Sequence, residues 1–224
     1  MATSTDDDGR MSVTATELDR LAAHPPVERL LRSLAERPGR HATAGGDVRR
    51  AAILLALRMS ASGEPEVLMI KRADAERDPW SGHVALPGGR MEPGDADLAA
   101  TAIRETWEET GVDVARDGRL VGALDDVTPR SPTLMPMVIR PFVALVRADI
   151  EIVPSHEVAA AFWVPLSALR SSQSWGTGNV RVRDGERRVS VFRHGPYTVW
   201  GLTERVLRQF LAYLGEPPAG ESVD

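Results

Sequence analysis

The sequence predicts an α/β fold, an α/β/α sandwich on a mixed β-sheet, and three features predict it. Two short apolar runs, Ala51–Leu57 and Val67–Ile70, have the length of strands buried on both faces. Three segments repeat apolar residues at helical spacing: Pro26 to Glu36, the run ending at Gly111, and Thr198 to Leu214. Strand-like and helix-like segments alternate along the chain, with no internal repeat and no second domain.

In chain order, residues 1–24 are polar and are expected to be a disordered tail. Leu30, Leu31 and Leu34 recur at helical spacing and mark a short helix, after which the stretch to Asp47 reads as a linker. The two apolar strands are joined by a turn around Ser62-Gly63-Glu64-Pro65. His83-Val84-Ala85-Leu86 is strand-like and runs into Pro87-Gly88-Gly89, where two glycines let the backbone approach a ligand or metal closely. The helix that follows can be capped by Asp95 or Asp97, and Gly111 stands where a left-handed residue would end it. Ala99, Ala102, Ile103, Thr106 and Thr110 form its stripe of small and apolar residues; Trp107, outside that stripe, is expected to cover neighbouring structure. Strands follow near 119–125 and 138–147, and Ala161-Phe162-Trp163-Val164 leads into a helix started by Pro165. A hairpin crosses Asp184-Gly185, joining Val180–Arg183 to Val189–Val191. The last helix carries Leu202, Val206, Phe210 and Leu214 on one side. The main domain is therefore expected over 48–215, preceded by a helix and linker over 25–47 and followed by a Pro/Gly-rich tail over 216–224.

Composition narrows the function classes. With 27 basic and 32 acidic residues, the net charge of −5 argues against a nucleic-acid partner, although a local basic patch can still meet a phosphate-rich ligand. The absence of cysteine excludes disulfides, zinc–thiolate sites and thiol catalysis. The first residues lack the basic start and apolar core of a signal peptide, and no apolar run approaches the ~20 residues of a membrane span. A cytoplasmic location, with no membrane partner, is expected.

Chemistry concentrates between Gly88 and Val112. Glu105, Glu108 and Glu109 stand at i, i+3 and i+4, so a helix places them on one face. Like charges so spaced cost an isolated helix roughly 0.2–0.5 kcal/mol per pair. A hard divalent cation between the carboxylates accounts for the crowding, because Mg²⁺ takes oxygen ligands. The alternative is an ordinary solvated acidic face. Against it stand the Gly-Gly loop, the capped turn, Arg104 and Gly111 in one window.

That window resembles the Nudix box, Gly-x5-Glu-x7-Arg-Glu-U-x-Glu-Glu-x-Gly-U, with U a bulky apolar residue. From Arg104 to Val112 the match runs residue by residue, except that Thr106 replaces an apolar residue. The first half departs: five residues after Gly89 comes Asp95, not Glu, and eight residues rather than seven separate it from Arg104. The role of the first box acid is thereby left open. Upstream, Leu68-Met69-Ile70-Lys71-Arg72-Ala73, Arg77, Ser81-Gly82 and Leu86-Pro87-Gly88-Gly89 look like the segment preceding the box in coenzyme A diphosphatases of this superfamily. Here Met69, Ile70 and Leu86 are substitutions, and one extra residue precedes Gly82. Glu157-Val158, Trp163-Val164-Pro165-Leu166 and Val199–Thr203 are also similar to that subfamily, so the likeness covers roughly 48–215.

The resemblance implies a Nudix sandwich and Mg²⁺-dependent hydrolysis of a nucleoside diphosphate derivative, with Mn²⁺ as a substitute ion. Glu105, Glu108 and Glu109 are the implied metal ligands, with a backbone carbonyl of Gly88 or Gly89 as a further one. Arg104 is expected to orient the carboxylates. Glu157 is the candidate general base from outside the box; His83 and His156 are weaker alternatives. Arg72 and Arg77 are candidates for phosphate contact and Trp80 for stacking on a base. The expected substrate is coenzyme A or an acyl ester, cleaved to 3′,5′-ADP and a 4′-phosphopantetheine product. Another diphosphate such as ADP-ribose or a dinucleotide, or a sensor without turnover, remains an alternative. Pairing of two copies through the termini or the hairpin is left open.

Overall fold

The computed structural model describes residues 17–42, 48–74, 81–129, 136–182 and 185–216. Arg77 and Trp80 lie outside the described residues, as does most of each expected tail. The elements run α1 (Pro25–Glu36), β1 (Arg49–Met59), β2 (Pro65–Arg72), β3 (Val84–Ala85), β4 (Gly88–Arg90), α2 (Leu98–Thr110), α3 (Val114–Asp117) and β5 (Gly118–Ala123). They continue with β6 (Met137–Val146), β7 (Val158–Pro165), α4 (Leu166–Arg170), a 3₁₀ turn (Ser172–Ser174), β8 (Trp175–Val182), β9 (Gly185–His194), β10 (Tyr197–Trp200) and α5 (Gly201–Tyr213). Among the described residues, no helix is long and apolar enough to cross a membrane.

A seven-stranded mixed sheet takes the order β3-β2-β1-β6-β5, with β4 beside β1 and β7 beside β2. β1 and β6 are parallel and the other pairs antiparallel. β1 and β2 pair only over Leu57–Met59 and Pro65–Val67. Beyond that point they separate: β1 pairs instead with β4, and β2 with β3. The segment carrying Pro87-Gly88-Gly89 fills the resulting gap, pinned by Leu54 N–H donating to the Pro87 carbonyl at 2.8 Å. This divergence puts the glycine loop inside the sheet.

Alternation along the strands builds two cores. Ala51, Leu55, Leu57, Val143 and Leu145 join Leu30 of α1 and Phe210 of α5 on one side. Ala52, Leu54, Ala56, Leu68, Ala144 and Val146 join Leu98 and Ala102 of α2 on the other. Each fully buried leucine contributes about 1.5–3 kcal/mol, so both faces of the sheet are strongly committed. The expected sandwich with a mixed sheet is what the chain forms.

Several expectations shift. Residues 17–22 are helical, and Leu18 and Leu21 are buried in the first core, so the expected tail over 1–24 ends earlier than residue 24. The start of the linker is stitched down, with Arg40 and Ala42 N–H groups donating to Asp125 and Asp126 carboxylates at 2.8 Å. The hairpin pairs Val182 with Gly185, so Gly185 belongs to its second strand, while Arg183 and Asp184 lie outside the described residues. Tyr197–Trp200 is a strand on the small sheet β10-β9-β8, so the last helix starts at Gly201, not Thr198. Trp107, expected to cover neighbouring structure, is instead 57% exposed.

Candidate active site

The helix of the acidic cluster is set by its ends. Asp97 is the N-cap and accepts from Ala100 N–H at 2.8 Å, which leaves Asp95 for another task. Gly111 ends the helix with φ of 74°, a left-handed conformation that glycine adopts without steric cost. The buried stripe holds Leu98, Thr101, Ala102, Thr106, Glu109 and Thr110. Thr106 replaces an apolar box residue without an unsatisfied hydroxyl, because its Oγ1 donates to the Ala102 carbonyl at 2.7 Å. Glu109 lies on the stripe that faces the sheet, not on an open acidic face.

Glu109 is only 4% exposed. Its Oε2 accepts from Gly88 N–H at 2.9 Å and its Oε1 lies 3.5 Å from Arg72 Nη1. Burial pushes its carboxyl up to about 7; the Gly88 hydrogen bond and Arg72 oppose the rise, while Glu105 and Glu157 add to it. Glu105 packs directly on Gly89, where any Cβ would collide with its carboxylate. Burial raises the Glu105 pKa too, against the pull of Arg104. Gly89 thus leaves room for the Glu105 carboxylate, whereas Gly88 is required by its φ of 148° and by the β1 backbone at Ala52 and Ile53, which a Cβ there would strike.

Arg104 organises the edge of the site. Its Nε and Nη2 donate to the two oxygens of Asp95 at 2.8 and 3.0 Å, and Nη2 also donates to the Arg90 carbonyl at 3.1 Å. Its Nη1 meets Glu105 at 3.1 Å and Glu108 at 2.9 Å. Asp95 further accepts from Thr101 Oγ1 and Glu92 N–H, both at 2.9 Å. The Arg104 hydrogen bonds hold the Asp95 carboxyl far below the usual range, and Asp95 in turn raises the proton affinity of Arg104. The one-residue insertion therefore does not strand the first box acid. Neither Thr101 nor the Arg90 carbonyl was marked by the sequence pattern, since both meet Asp95 or Arg104 only through the loop's course.

The other candidates are placed as follows. Glu157 is exposed at the start of β7; its carbonyl accepts from Ala73 N–H at 2.8 Å, which sets it beside the end of β2. The preceding segment is tied to the C-terminal turn of α2, with Ser155 N–H on the Glu109 carbonyl at 3.0 Å and Val153 N–H on that of Thr110 at 2.8 Å. His156 is exposed, whereas the His83 ring packs on Trp200 at 4.6 Å between centroids. Glu108 is turned to Arg104 rather than toward Glu109. Among the described residues no three acidic or histidine groups come together closely enough to hold an ion, so the three box glutamates do not form a ready-made cage. The donor set still suits a hard divalent ion: two carboxylates at the loop keep proton affinities raised by burial even with Arg104 beside Glu105 and Arg72 beside Glu109.

The geometry agrees with comparisons to known proteins. The NUDIX domain model matches residues 48–193 of the 224. The mitochondrial coenzyme A diphosphatase NUDT8 of Homo sapiens is 35% identical over 180 residues, spanning 75% of this chain and 70% of that protein. An uncharacterized Nudix hydrolase, NudL of Enterobacter sp. (strain 638), is 33% identical over 174 residues, spanning 76% of this chain and 85% of its own length. A NUDIX hydrolase structure from Alicyclobacillus acidocaldarius superposes with a TM-score of 0.48 at 22% identity, covering 79% of this chain and 95% of that one. Glycine loop, acidic helix and Arg104 hub, together with the domain-model match and the relatives above 30% identity, place the chain in the Nudix family of diphosphate hydrolases.

Proposed function

We propose that this Nudix hydrolase cleaves the diphosphate of coenzyme A or an acyl ester, giving 3′,5′-ADP and (acyl-)4′-phosphopantetheine. The observation that carries the reading is the pair of carboxylates with burial-raised proton affinity, Glu105 and Glu109, gathered at Gly88-Gly89. The likeness to a coenzyme A diphosphatase at 35% identity supports the substrate class.

Nudix hydrolases generally use divalent cations, Mg²⁺ in the first instance. Glu105 and Glu109 would hold the ion, and Glu108 would join on exchanging its link to Arg104. That link involves a side chain 46% exposed, and such surface pairs are worth about 0–1 kcal/mol, so the exchange is cheap. When bound, the ion neutralises phosphate oxygens and lowers the pKa of bound water. The protein's residues do the rest. Arg104, fixed on Asp95, keeps Glu105 at the loop. Arg72, beside Glu109, supplies a cation toward a phosphate, and Arg77 extends that role in the same stretch of sequence. Glu157 accepts the proton of the attacking water, its carbonyl bond to Ala73 fixing it on the Arg72 side.

Competition of coenzyme A against ADP-ribose and dinucleotides in the presence of Mg²⁺ tests the reading. Coenzyme A should give the highest kcat/KM; a rank far below the others refutes the substrate, and tight binding without turnover on any of them refutes catalysis.

A further inference from the structure

We propose that Trp200 and His83 form an aromatic ledge that stacks on the planar base of the substrate's nucleotide half, which makes Trp200 a specificity-determining residue. The inference rests on the diphosphate-hydrolase reading above. Trp200 ends β10 and His83 immediately precedes β3, yet their ring centroids lie 4.6 Å apart with planes tilted by 57°. Two short links tie this pair to the acidic site. His83 accepts from Arg72 N–H through its carbonyl at 2.9 Å. The Arg72 guanidinium in turn lies 3.5 Å from Glu109. Both rings are only partly buried, so each keeps accessible surface.

The surroundings suit a base joined to anionic groups. In the small sheet, the row through Trp200 holds Val191 and then Gly176, which has no side chain. Arg193 shares that face and lies over Gly178, its Nη2 donating to the Thr177 carbonyl at 2.9 Å. Val191 is fully buried, so the accessible part of this row is the Trp200 ring, and an aromatic ring bordered by the exposed Arg193 guanidinium is the chemistry that takes a nucleobase and its charged substituents.

The test is calorimetric binding of ADP and of inorganic pyrophosphate to the full chain with Mg²⁺, for wild type, Trp200→Ala and Trp200→Phe. Trp200→Ala should weaken ADP about tenfold or more, since base stacking is sequence-tolerant but ring-dependent, and leave pyrophosphate within about twofold. Trp200→Phe, which keeps a ring, should stay within about threefold of wild type for both. In turnover, Trp200→Ala should raise KM and spare kcat. If Trp200→Ala does not fold, His83→Leu is scored by the same contrast. Equal weakening of both probes, or unchanged ADP binding in a variant that melts like wild type, overturns the ledge. A wild type that binds pyrophosphate but gains nothing from ADP also overturns it and leaves the hydrolase reading standing; one that binds neither overturns both.

Discussion

Replacing Glu109 by Gln should stabilise the metal-free protein while abolishing its chemistry. The carboxyl is pushed from 4.5 to about 7 by burial, beyond what Gly88 and Arg72 recover. At ~1.4 kcal/mol per pKa unit, keeping it ionised in the fold costs about 3–4 kcal/mol at pH 8. Gln has nearly the same shape, and its carbonyl can still accept from Gly88 N–H. In a chain of this size that energy corresponds to a rise of about 6–16 °C in Tm. The sign follows from linkage. A group whose folded pKa is raised contributes stability below its unfolded pKa, near 4.5, and loses that contribution as pH rises through about 7. The variant's advantage in EDTA should therefore be full at pH 8 and all but gone at pH 4. Added Mg²⁺ should raise the Tm of wild type, by binding only the folded state, and hardly move that of the variant. Differential scanning calorimetry at the two pH values, with steady-state turnover, checks the whole chain of reasoning. A variant that melts below wild type at pH 8 in EDTA refutes the buried-charge argument; near-wild-type turnover refutes the metal role.

Two further perturbations test the supports. Asp95→Asn removes the bidentate partner of Arg104 and should lower activity about 10–100-fold, as loss of groups that orient ligands does, with Tm falling a few degrees. Because the folded Asp95 pKa is depressed, its contribution is present above the ordinary 3.8 and lost as pH falls below it, so the Tm gap should narrow under about pH 4; an unchanged activity would show that Arg104 orients without it. Leu21→Ala should destabilise by about 2–5 kcal/mol, since Leu21 is 1% exposed in the main core. Chemical denaturation with no change would mean that the stretch before residue 24 is dispensable.

Local pattern carried much of this molecule. Leu30 and Leu34, the alternating apolar residues of β1 and β6, and the cap at Asp97 with Gly111 all act through neighbours a few residues away, so spacing alone marked their elements. The Arg104–Val112 run marked the helix of the site for the same reason. Strand β10 escaped because Tyr197–Trp200 carries both strand and helix signals, and only pairing to Val191 and Phe192 chose between them.

What the sequence by itself determined was the set of elements and the residue types gathered near Gly88. Only the tertiary structure decided how those residues are used. The early divergence of β1 from β2 admits the glycine loop, which turns Glu109 inward and brings Glu105 onto Gly89. The loop also carries Asp95 back to Arg104 despite the inserted residue, and leaves Glu108 at the rim. These outcomes depend on contacts between segments remote in sequence, where burial and charge are set by the fold and no local spacing encodes them.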